Sequence, residues 1–201
     1  MIPMSAEGLR PVKGEATTLM RARDFCSWIL LLTLGVGCAA AQGDSTITPN
    51  GIGGLRLCQA LSSVRGLFPA ARDTVISSEE AQWPAKVVPL ARGKRILFES
   101  SWIDTTHVWR ISTNSPGYKT ARGYHVGMSL GDLRDRGEKL HFDYEEGYIV
   151  VTLSSEQIAF TPDDSTAKAF LNRSPTAFDS LESLPHSARI KEFIVSGDCH
   201  R

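Results

Sequence analysis

The segment Arg122–Glu138, RGYHVGMSLGDLRDRGE, has a counterpart upstream at Gly54–Pro69, GLRLCQALSSVRGLFP. A duplicated unit constrains a fold more than any single element does. Each copy is too small to bury a good core alone, so the two must pack together. Superposing Gly54 on Gly123 sets Leu57 on Val126, Leu61 on Leu130, Val64 on Leu133 and Arg65 on Arg134. In each copy a glycine turn leads into apolar residues at helical spacing, which predicts a short amphipathic helix. Pro69 stops the first helix, and Gly137 stands almost opposite it in the second.

Between and after the two segments the apolar period changes from helical to alternating. Arg95–Glu99, His107–Thr113, Leu140–Tyr144, Tyr148–Leu153 and Gln157–Phe160 are rich in branched and aromatic residues and read as strands. Ile190–Val195 resembles Val108–Thr113. Lys86–Leu90 reads as an edge strand, because Pro89 cannot donate to a ladder. Ala70–Pro84 has little period and reads as a surface connection, and Gln42–Gly53 as a polar, flexible leader. The predicted fold is α+β. Two tandem strand–helix–antiparallel-strand repeats, 54–116 and 117–201, pack as one domain, the second carrying an insertion at 161–187 with two weak helical stretches.

The N-terminal residues read as a targeting segment. Arg21 and Arg23 precede the apolar run Phe25–Ala41, and Ala39 and Ala41 supply small residues for cleavage, which predicts a signal peptide over 1–41. A normal-looking signal begins at Met20, an alternative start. The run is marginal for a membrane span and is diluted by Gly35 and Gly37, so no transmembrane span is expected in the mature chain. Gly35-Val36-Gly37-Cys38 offers a second route, lipidation at Cys38, although glycine stands where a lipoprotein signal resembles Leu-x-Gly-Cys. Periplasmic or secreted localisation is expected, with lipid anchoring through Cys38 as the alternative. After cleavage only Cys58 and Cys199 remain. They form one disulfide in an oxidising compartment, or else Cys58 is a small buried residue and Cys199 a free thiol.

Lys+Arg and Asp+Glu are balanced at 22 each, which removes the electrostatic basis for nucleic-acid binding. Asn50–Gly54 lacks a following third glycine, Arg56 standing in its place, so no dinucleotide cofactor is expected. Gly127-Met128-Ser129-Leu130-Gly131 matches Gly-x-Ser-x-Gly between a strand and a helix, with Asp163 (or Asp164) and His186 following in hydrolase order. A serine hydrolase would use Ser129 as nucleophile, His186 as base and Asp163 to orient that base. Against it, Ala60 stands at the equivalent position of the first copy, and Ser129 with Asp132 has the spacing of a helix-capping pair. His141 and Asp143 share a strand face, but two ligands do not make a metal site, so none is expected. Trp109 is expected in the core beside Ile111, and Trp102, in a loop, is the candidate exposed contact residue.

The segment Val126–Asp135, VGMSLGDLRD, with its weaker echo at Leu57–Gly66, resembles the opening of small envelope domains. Outer-membrane assembly lipoproteins of the SmpA/OmlA type have a similar Gly-Met-Thr/Ser turn into a helix, and tandem β-lactamase-inhibitor proteins set two related units side by side. The strand before each helix and the insertion at 161–187 depart from that pattern. The resemblance implies a non-catalytic, protein-facing role outside the cytoplasm. The expected function is therefore a binding or envelope-assembly module whose partner is a protein or other envelope component. A small hydrolase using Ser129 and His186, and a structural envelope protein with no discrete ligand, are the other readings.

Overall fold

Strand β10, Tyr148–Leu153, shows why these residues make a sheet. Its side chains alternate between buried and half-exposed, with Ile149, Val151 and Leu153 turned to the core. The computed structural model describes residues 44–78, 80–145, 148–171 and 184–199. Residues 1–41, read above as a signal peptide and containing Met20 and Cys38, and part of the 161–187 insertion lie outside the described residues.

Two sheets carry the described chain. In the smaller, β3 (Leu55–Arg56), β2 (Gly51–Ile52), β1 (Thr46–Thr48) and β8 (Lys119–Thr120) lie in that order, β1 and β8 being parallel. The larger sheet has eight strands, all antiparallel to their neighbours. A first meander runs through β4 (Arg72–Ser77), β5 (Gln82–Pro89), β6 (Arg95–Glu99) and β7 (Arg110–Thr113). A second runs through β9 (Leu140–Glu145), β10, β11 (Ile158–Pro162) and β12 (Ile190–Ser196). They meet where β12 pairs with β7, Phe193 opposite Thr113 and Val195 opposite Ile111, so the order is β4-β5-β6-β7-β12-β11-β10-β9.

Residues directly opposite across a ladder share a face. Ile96, Phe98, Ile111, Phe193, Val195, Phe160 and Val151 therefore line one continuous apolar face, each at most 3% exposed. The same buried cluster includes Ile47, Ile52 and Leu55 of the small sheet and Tyr124. Two short helices add to it. α1 (Val64–Leu67) follows a 3-10 turn at Leu61–Ser63 and contributes Leu61 and Val64, and α2 (Leu130–Asp135) contributes Leu130 and Leu133. Gly137, with φ +72°, ends the turn after α2 in a conformation that glycine adopts without steric cost.

The α+β expectation is corrected. The helices run for only four and six residues, and α3 (Asp164–Leu171) is the longest at eight, so the described fold is predominantly antiparallel β. Residues 72–89, read as surface connection and edge strand, are the β4–β5 hairpin that extends the sheet to eight strands. The strand expected before α2 is replaced by turns and two isolated bridges, Lys119 to His125 and Ser129 to Arg189. Within the stretch read as a leader, β1 and β2 pair and bury Ile47 and Ile52.

One polar cluster is buried beneath this arrangement. The carboxylate of Glu138 accepts from Arg122 Nη1 at 2.6 Å, Tyr124 Oη at 3.1 Å, and the N–H and hydroxyl of Ser155 at 3.0 and 2.6 Å. Burial alone would raise its pKa, but the Ser155, Tyr124 and Arg122 partners bring it below the usual value.

Candidate functional site

The β6–β7 connection is long, polar and held at both ends. Asp104 organises its tip. The Asp104 carboxylate accepts from the N–H and hydroxyl of Thr106 at 2.8 and 2.6 Å and pairs with Nδ1 of His107 at 2.8 Å. Ser101 answers it, its hydroxyl accepting from the Asp104 N–H at 2.9 Å. The hydrogen bonds from Thr106 and His107 hold Asp104 far below the ordinary carboxylate range. On one side the connection pairs with residues 58–61: Cys58 N–H donates to Val108 O, Val108 N–H to Gln59 O, and Leu61 N–H to Thr106 O, at 2.8–2.9 Å. On the other, Gly197 N–H donates to Trp109 O at 3.2 Å. The Cys58–Cys199 disulfide, Cα atoms 5.3 Å apart, ties these two flanks together.

Held in this way, the connection forms a cleft of about 240 Å³ with Trp83 of β5 and the residues just past β12. Trp83, Trp102 and Trp109 line it, beside Asp104, His107 and Asp198. Trp102 and Ile103 are 68% and 67% exposed and Trp109 36%. Arg110, at the start of β7, lies 5.3 Å from the Trp109 ring centroid and forms a two-pronged pair with the buried carboxylate of Glu99, at 2.9 and 2.6 Å. The indole nitrogen of Trp83 is buried without a hydrogen-bond partner.

Trp102 thus stands where a loop residue was expected, in solvent. Trp109 departs from its expected core position, because the chain pairs as β7 only from Arg110 onward. The roles of Trp83, Asp104 and His107 were missed. The available signal was that three of the four tryptophans crowd into the segment 83–109.

Ser129 and Asp163 both lie beside the Arg189 backbone and His186 bonds to Gly131 through its own backbone, an arrangement that forms no relay. Ser129 is the N-cap of α2. Its hydroxyl accepts from the Asp132 N–H at 3.1 Å and donates to the Asp132 carboxylate at 2.8 Å, while that carboxylate accepts from the Ser129 N–H at 3.0 Å. The backbone oxygen of His186 accepts from the Gly131 N–H at 2.9 Å. Asp163 spends its carboxylate on the Arg189 N–H, the Thr166 N–H and hydroxyl and the Ser165 hydroxyl. Burial pushes its pKa up, but these hydrogen bonds outweigh it and bring the group down to about 2. His141 and Asp143 form an exposed pair at 3.4 Å, and among the described residues no group of three His, Cys, Asp or Glu could hold a metal ion.

No protein family matches the sequence, and no curated protein matches it. A solved structure, that of the uncharacterized protein yfeY from Escherichia coli, matches with a TM-score of 0.57 at 12% identity. The match covers 76% of this chain and 99% of that one, and shows a shared fold. Among the described residues no helix is long and apolar enough to cross a membrane.

Proposed function

We propose that the protein is an exported, non-catalytic binding module that recognises an envelope component through its tryptophan cleft. One observation carries this reading. Trp102 and Ile103 are left more than two-thirds exposed by a connection that hydrogen bonds and a disulfide hold in place. Core packing gives no reason to hold two large apolar side chains in water, whereas a contact surface does. The disulfide suits an oxidising compartment, and the apolar N-terminal run supports export to the periplasm or beyond, with Cys38 lipidation as the alternative anchor. The commitment of the Ser129 hydroxyl to its helix cap weighs against the hydrolase reading.

A photo-crosslinking amino acid placed at position 102 in living cells tests this proposal, with position 148 as control. Tyr148 is similarly exposed, at 66%, but begins β10 in the second meander. Adducts of defined mass are expected from position 102 and not from 148. Identical adduct profiles at the two positions would show that the cleft is not a recognition surface.

A further inference from the structure

We propose that two copies of this chain join edge to edge along β9, about a two-fold axis at Phe142, to make one continuous sheet. The inference is independent of the cleft. β9 ends the eight-stranded sheet, and among the described residues its ladder runs to β10 alone. It is six residues long, holds no proline and keeps register with β10 without a bulge, so neither device closes its outer edge to another strand. Ser154 N–H donates to Lys139 O at 3.0 Å. Antiparallel bonds alternate along a ladder, so His141 and Asp143 also bond toward β10, while the N–H and C=O of Leu140 and Phe142 turn to the outer edge. Antiparallel pairing about a two-fold axis sets one residue opposite its own copy. With Phe142 there, each Phe142 N–H meets the carbonyl of the other, and the whole of 140–144 overlaps.

The same axis matches the side chains. Leu140, Phe142 and Tyr144 share the core face, opposite Leu153, Val151 and Ile149 of β10, and His141 and Asp143 share the other. About Phe142, Leu140 of one copy falls opposite Tyr144 of the other, Phe142 opposite Phe142, and His141 opposite Asp143 in both directions. Apolar meets apolar on one face, and acid meets base on the other. Leu140 and Phe142 are only partly buried against the core of a single copy, so the pairing carries that core across the seam. His141 and Asp143 are 72% and 45% exposed and already paired within the chain at 3.4 Å, so the dimer joins two such pairs into one alternating cluster. The other end of the sheet gives no such match. The same operation about Val75 of β4 sets Asp73 opposite Ser77 and Thr74 opposite Ile76, and Asp73 is held by Arg65 and Lys86. A strand that complements its own reverse commits the edge to a second copy, since a foreign strand requires no such symmetry. Tyr148, on β10, stands two strand spacings, about 10 Å, from the other copy's β9 and lies outside this contact.

Sedimentation equilibrium of the mature protein over a range of concentrations is the test. A monomer–dimer equilibrium is expected, with a Kd of about 10–100 µM, as suits contact along one strand. His141→Asp sets like charges opposite one another twice and should weaken the dimer by about tenfold or more. Adding Asp143→Lys to that variant restores opposite charges at both places and should recover the dimer. Thermal melting by circular dichroism checks that both variants are folded. A wild type that stays monomeric up to about 1 mM would overturn the inference. So would a dimer indifferent to His141→Asp, or a folded double variant that remains as weakly associated as the single one.

Discussion

Replacing both Cys58 and Cys199 with serine should destabilise the protein mainly through its unfolded chain. The disulfide closes a sequence separation of 141 residues. The loop-entropy relation gives about 5 kcal/mol for a loop of that size, near the top of the observed range. In the folded state both flanks keep their backbone hydrogen bonds, Cys58 N–H to Val108 O and Gly197 N–H to Trp109 O. The native arrangement should therefore survive, and the expected loss is about 3–5 kcal/mol, or roughly 6–20 °C in melting temperature for a chain of this size. Urea unfolding followed by circular dichroism and tryptophan fluorescence measures it. The midpoint should fall and the m-value rise, because the uncrosslinked unfolded chain exposes more surface. The reduced wild type should coincide with the double-serine protein. A stability within about 0.5 kcal/mol of the oxidised wild type would refute the loop-entropy argument.

Ser129→Ala should cost about 1 kcal/mol in urea unfolding through loss of the capping box, and the wild type should resist an active-site serine probe. Covalent labelling at Ser129 would instead revive the hydrolase reading. Asp163, brought from 3.8 to about 2 in the folded protein, contributes stability that is present above its unfolded pKa and lost as pH falls through the folded one. Asp163→Asn should accordingly flatten the fall in melting temperature between about pH 4 and pH 2. An unchanged slope in that window would mean that other carboxylates control acid unfolding.

Strands that sit inside the large sheet were legible because one face of each is buried. Arg95–Glu99 and Tyr148–Leu153 have the bounds that alternation predicts. The fold class was not legible, because β4 is an edge strand. Its residues RDTVIS are exposed or half-exposed throughout, so they carry no buried apolar period. The inference from Pro89 failed for a related reason: Pro89 ends β5, which lies between β4 and β6. β1 and β2 are three and two residues long, too short for any pattern, and Ile47 and Ile52 bury through pairing alone. At the cleft, the loop position of Trp102 could be read locally. The assembly of Trp83, the 101–110 connection and residues 198–199 could not, since long-range strand pairing brings them together.

The seam between β7 and β12 sets a schedule for folding. The first meander can pair as far as β7, but the partner of β7 lies about 80 residues later in the chain, the separation spanned by the Ser112–Glu192 hydrogen bond. Until residues 190–196 have been synthesised, β7 presents a bare edge in what becomes the middle of the sheet. Such edges recruit other chains, and non-local pairing is slow. A ribosome-bound fragment of this protein would therefore be sticky and unfinished however much of the first meander it had formed. In the export proposed above, translocation of the unfolded chain would remove that hazard, because β7 and β12 would meet on the far side of the membrane with the whole sequence at hand.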